Sequence, residues 1–106
     1  MSRTVVVLDP AADEARETVD WYEQRRSGWG SRLHAELRRA IDSIEQGFDG
    51  SPDFTIERRE GEPEFRRVFL RRFPLAVVFY CEVDRATVVA VAHLRRMPGY
   101  WRDRAG

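Results

Sequence analysis

The chain has no lysine, one cysteine and two histidines. A single Cys81 excludes an internal disulfide framework. With only His34 and His93 beside it, no zinc-ligand spacing can be assembled, and neither a metal nor a cofactor is expected. Long apolar runs are also missing. The longest, Leu75–Cys81, is far shorter than the roughly 20 residues that span a bilayer. The N-terminal segment has no basic stretch followed by an apolar run, so a secretory signal is not expected and a cytoplasmic location is. There is no Gly-rich phosphate loop and no Gly-x-Ser-x-Gly nucleophile motif.

What the chain does have is arginine. All 18 basic residues are Arg, set against 18 acids for a net charge of zero over 106 residues. The charge is segregated along the chain. Residues 1–57 hold seven Arg and twelve acids, a balance of −5, whereas residues 58–106 hold eleven Arg and six acids, a balance of +5. A GC-rich genome accounts for the choice of Arg over Lys, but not for this division. The length suits one domain over residues 1–106.

Periodicity yields six elements. Thr4–Leu8 is a short β-branched run and reads as a strand. Asp9-Pro10 ends it, with Asp9 suited to an N-cap and Pro10 to the first helical position. Ala12, Ala15, Val19 and Tyr22 then form one apolar helical face, while Asp13, Glu14 and Glu17 lie near the positive end of the helix dipole. Gly28 and Gly30 break this helix, and Ser31 is placed to cap a second one. The second helix buries Leu33, Leu37, Ala40, Ile41, Ile44 and Phe48, and Gly47 or Gly50 stops it. A polar loop over 49–63 follows, with Phe54 and Ile56 as anchors. Phe65–Leu70, Leu75–Val83 and Thr87–His93 read as three strands joined at Phe73-Pro74 and Asp84-Arg85-Ala86, an antiparallel meander. The expected fold is α+β: a two-layer domain with an antiparallel sheet in the order strand-helix-helix-strand-strand-strand and a helical hairpin on one face.

The basic half carries the candidate site. Arg66, Arg67, Arg71, Arg72, Arg95 and Arg96 fall at strand ends and corners. Gathered in one patch, they call for a phosphate backbone or a partner's carboxylates. Otherwise they pair locally with Glu60, Glu62, Glu64 or Asp103. His93 suits either a sheet-end hydrogen bond or acid–base chemistry. Tyr100 can offer a hydroxyl to a reacting phosphate, Trp101 suits packing, and Cys81 reads as a small apolar filler.

Trp21-Tyr22-Glu23, the segment Phe65-Arg66-Arg67-Val68 through Arg72-Phe73-Pro74, and the closing block His93-Leu-Arg-Arg-Met-Pro-Gly-Tyr-Trp-Arg-Asp-Arg104 resemble the RelE/ParE toxin superfamily over nearly the whole chain. The resemblance implies a bacterial growth inhibitor, held silent in a hetero-oligomer by a cognate antitoxin, with no membrane role. Two activities follow from it. ParE-like members block DNA gyrase, and the Phe73-Pro74 corner and Tyr100-Trp101 ending look closer to that side. RelE-like members cut mRNA in the ribosome without a metal. For that chemistry the resemblance implies His93, Arg71, Arg96 and Tyr100 as catalytic residues. Arg66, Arg67, Arg72 and Arg95 are the expected binding residues of the basic patch under either activity. Leu94 stands where those nucleases often carry another arginine. A degenerate antitoxin-binding module is the third alternative.

Overall fold

The computed structural model describes residues 3–47 and 59–105. Thr4–Val7 forms β1 and passes almost directly into α1, Asp9–Arg25. Pro10 lies in the first turn, where its missing N–H leaves no helical acceptor unsatisfied. The expected N-cap is displaced by one residue. Leu8 holds that position without a side-chain capping bond, and Asp9 contributes only its charge at the positive helix end.

The second helix, α2, spans Trp29–Glu45 and begins before the expected Ser31 cap. Gly28 takes φ +92°, which makes the tight turn between the helices possible. The capping acceptor comes from α1: the Glu23 carboxylate receives the N–H groups of Gly28 at 3.1 Å and Gly30 at 2.9 Å. Tyr22 beside it packs edge-on against Phe73, 4.9 Å between ring centroids, and stacks with Trp29 at 6.2 Å. Tyr22 and Glu23 together thus fold the hairpin and seat it against the corner at Phe73. Gly47 at φ +80° follows the end of α2, as expected. Phe48, Gly50, Phe54 and Ile56 lie outside the described residues.

Three strands form the expected antiparallel meander: β2, Phe65–Phe69; β3, Leu75–Cys81; and β4, Arg85–His93. The second turn falls two residues earlier than the sequence suggests, at Glu82-Val83-Asp84, with Val83 fully exposed and Arg85 already paired with Thr4. The sheet order is β1-β4-β3-β2, and β1 joins β4 in parallel, so the sheet is mixed rather than wholly antiparallel. That pairing makes β4 interior over Arg85–Val88, and Ala86 through Ala92 are all buried because the two hydrophobic clusters cover both faces of the strand.

The helices cover one sheet face. There Leu33, Leu37 and Ile44 pack against Val77, Phe79, Val88 and Val91. A bulge at Val89, where Val78 pairs with Ala90 and Phe79 with Val88, shifts the alternation of β4. Val89, Ala90 and Ala92 consequently join Phe65 and Val78 on the opposite face. Trp101 covers that face, 4.6 Å from Phe65 between ring centroids, and a short 3-10 turn over Arg102–Ala105 closes the chain. The closing block is therefore a partial third layer. Among the described residues no helix is long and apolar enough to cross a membrane.

Leu33 is fully buried where α2 meets the sheet. Leu33→Ala should cost about 2–5 kcal/mol by leaving a cavity, read as a lower urea midpoint with an unchanged slope.

Candidate functional site

β1 ends at Val7, opposite Val88, while β4 continues to His93. Among the described residues no strand lies beside the outer edge of β4 past Val88, and its backbone groups there need other partners. Two side chains from opposite halves of the sequence supply them. The Glu14 carboxylate, from early in α1, accepts the Val91 N–H at 3.0 Å. The Arg104 guanidinium donates to the Val89 carbonyl at 3.0 Å. The two side chains also meet each other, at 3.0 and 3.3 Å. The Tyr100 hydroxyl donates to Glu14 at 2.8 Å and Arg96 reaches it at 3.3 Å. Only 13% of the Glu14 side chain is exposed, so these donors offset the loss of its hydration.

The Tyr100 ring has the Arg96 guanidinium 3.8 Å from its centroid and that of Arg104 at 5.1 Å. Burial, the hydrogen bond to Glu14 and the Glu14 charge together outweigh those two cations and push the hydroxyl up to about 12. Tyr100 is a neutral donor near pH 7, and its proton is already engaged.

His93 ends β4 as an exposed residue, and its Nδ1 accepts the backbone N–H of Arg95 at 3.1 Å. This is the sheet-end hydrogen bond, one of the two roles the sequence leaves open for it. Arg71 and Arg72 lie in the corner between β2 and β3. Their backbone N–H groups donate to the Glu36 carboxylate on α2 at 2.9 and 3.4 Å, and both side chains are exposed.

Leu75 pairs with His93, and the Leu94 N–H donates to the Pro74 carbonyl at 2.9 Å. The β2–β3 corner and the end of β4 therefore sit side by side, which brings Arg71, Arg72, Arg95 and Arg96 to one end of the sheet. They do not form one pool of free cations. Arg96 is paired with Glu14, whereas Arg71, Arg72 and Arg95 make no ion pair among the described residues. On β2, Arg66 pairs with Glu64 at 3.7 Å and Arg67 lies over the Phe69 ring at 4.9 Å. Among the described residues no three His, Cys, Asp or Glu side chains gather as a metal site.

Sequence reasoning placed Glu14 among the dipole acids and left Arg104 without a role. A signal was present. Glu14 sits between Ala11 and Ala15 on the helical face that turns to the sheet, and the opposite charges of the two halves call for pairing between them.

No protein-family model matches the sequence, and no curated protein matches it. Among solved structures the chain is similar to one from the chromosomal ParDE TA system from P. aeruginosa. The TM-score is 0.69 at 13% identity, over 89% of this chain and 98% of that one. The likeness is one of fold: the chain has the α+β fold of the ParE toxin.

Glu14→Gln removes the charge facing Arg96 and Arg104 while keeping the shape. It should cost about 2–3 kcal/mol in urea unfolding, less than the 3–5 typical of a fully buried pair, because Arg104 is partly exposed. The Tyr100 hydroxyl titrates higher folded than unfolded, where the ordinary value is about 10. Its stabilising contribution is therefore complete below about pH 10 and is lost as the pH rises toward about 12. In Glu14→Gln the tyrosinate absorbance of Tyr100 should appear at lower pH, and an unchanged titration would count against the coupling.

Proposed function

We propose that this chain is the toxin of a toxin–antitoxin pair and arrests bacterial growth in the cytoplasm by binding a protein, DNA gyrase, in the ParE-like manner. The ParE toxin fold supports the class. The choice of mechanism rests on one observation, the Glu14 carboxylate bonded to Tyr100 and Arg96. RelE-like cleavage needs a proton carrier and free cations for the charge that develops on phosphate. In this chain the Tyr100 proton is held by Glu14, and Arg96 is turned to the same carboxylate at 3.3 Å. Leu94 stands where the RelE-like nucleases often carry another arginine.

A cognate antitoxin fits the same reading. An apolar groove of about 450 Å³ lies between the hairpin and the sheet, lined by Ala12, Ala15, Val19, Leu37 and Ile41 among others. It suits an apolar helix or extended segment of an antitoxin in a hetero-oligomer.

Expression without antitoxin, with mRNA ends mapped and plasmid supercoiling followed, tests the reading. Growth arrest with lost supercoiling and intact mRNA is expected. Tyr100→Phe, which removes the proton in question, should remain toxic at a temperature where it stays folded. Fresh mRNA ends at codon positions, abolished by Tyr100→Phe, would establish the nuclease instead.

A further inference from the structure

We propose that the end of the sheet carrying Arg71, Arg72, Arg95, Leu94 and Met97 is the face with which the chain grips its target, and that this face fits an acidic protein surface with an apolar recess. The proposal rests on the reading that the chain is a growth-inhibiting toxin, and it adds where the target is held and by what chemistry.

The strand pairing that joins the β2–β3 corner to the end of β4 brings Arg71 and Arg72 to the same end of the sheet as Leu94, Arg95 and the turn that follows. Their backbones are pinned while their side chains are left outward. Glu36 holds the N–H groups of Arg71 and Arg72, and His93 holds that of Arg95. The three guanidinium groups make no ion pair among the described residues, although Arg96 next to them does. Because the main chain is already fixed, meeting carboxylates costs this surface only the rotamer freedom of its exposed arginine side chains.

The same turn exposes two large aliphatic side chains, Leu94 at 51% and Met97 at 74%. Isolated exposed apolar residues are ordinary, but these two stand three residues apart beside three arginines. Methionine and arginine are both enriched at protein interfaces, and a flexible thioether adapts to an irregular recess.

Nucleic acid fits this face less well. Readers of single-stranded RNA stack bases on open aromatic rings. Here the Tyr100 ring has two guanidinium groups against it, Phe69 has Arg67 over its ring, and Trp101 and Phe73 are buried. Leu94 and Met97 occupy the place where a stacking platform would be useful. Exposed arginines and exposed aliphatic side chains at one end of the sheet complement a surface that offers carboxylates beside an apolar recess.

Two variants of the full chain separate the contributions: Arg71→Glu/Arg72→Glu/Arg95→Glu for charge and Leu94→Ser/Met97→Ser for the apolar centre. Met97→Ser alone serves if the double variant folds poorly. Each is induced without antitoxin, checked for an unchanged thermal unfolding midpoint, and measured for binding to purified gyrase. Folded variants that no longer arrest growth, with gyrase binding weakened at least about 10-fold, are the expected result. A serine variant as toxic as the parent overturns the apolar contact, and with it the proposal. A toxic charge-reversed variant does the same. Growth arrest that depends on this face together with cut mRNA assigns the face to RNA and overturns the protein partner. Growth arrest that depends on it without gyrase binding or mRNA cuts removes gyrase as the target and leaves the surface standing. A parent chain that leaves growth untouched overturns the toxin reading and the surface together.

Discussion

β4 runs beyond the end of β1, and the Glu14–Arg104 pair occupies the edge that this leaves open. The rest of the structure depends on that substitution of side chains for a strand. Glu14 receives the Val91 N–H that no neighbouring strand accepts, and Arg104 satisfies the Val89 carbonyl at the bulge. Through the same two side chains the start of α1, the middle of β4 and the end of the chain become one unit. Trp101 is thereby held over Phe65, and the sheet face opposite the helices stays dry. A carboxylate this buried is tolerated because cations and a hydroxyl surround it. The cations, in turn, are held in fixed positions by it.

This arrangement changes what the closing block signifies. Read in isolation, Arg96 and Tyr100 resemble catalytic groups. In the fold, both are spent on Glu14, and the hydroxyl is shifted further from neutrality rather than toward it. Proton transfer near neutral pH favours a group that titrates close to it, and Tyr100 does the opposite. The basic half of the chain thus divides into two sets. One set pairs with carboxylates: Arg96 and Arg104 with Glu14 of the acidic half, and Arg66, Arg85 and Arg102 with Glu64, Glu82 and Glu62 of their own half. The other, Arg71, Arg72 and Arg95, is held by its backbone and faces outward.

Much of the architecture was legible in local pattern. The two helical stripes, the three-strand meander, the break at Gly28 and the position of Gly47 all follow from spacing, turn residues and β-branched runs. The misses were misses of partnership. Ser31 loses its cap to Glu23 because a carboxylate one helix earlier reaches the free N–H groups first. Asp9 is not the N-cap because the helix begins one residue early. β1 is parallel to β4, a pairing between the two most distant strands that no turn signal records. For the candidate site, the sequence grouped the arginines but could not say which of them pair with carboxylates.

The sequence by itself determined the element order, the apolar faces, the division of charge and the lack of any metal-ligand spacing or long apolar span, because each of these is written in neighbours a few residues apart. The tertiary structure alone decided which charges cancel. Glu14 lies 77, 82, 86 and 90 residues from Val91, Arg96, Tyr100 and Arg104, and only the closed sheet brings them within hydrogen-bond reach. A carboxylate selects its cations by distance and burial, and neither quantity exists until the chain has folded.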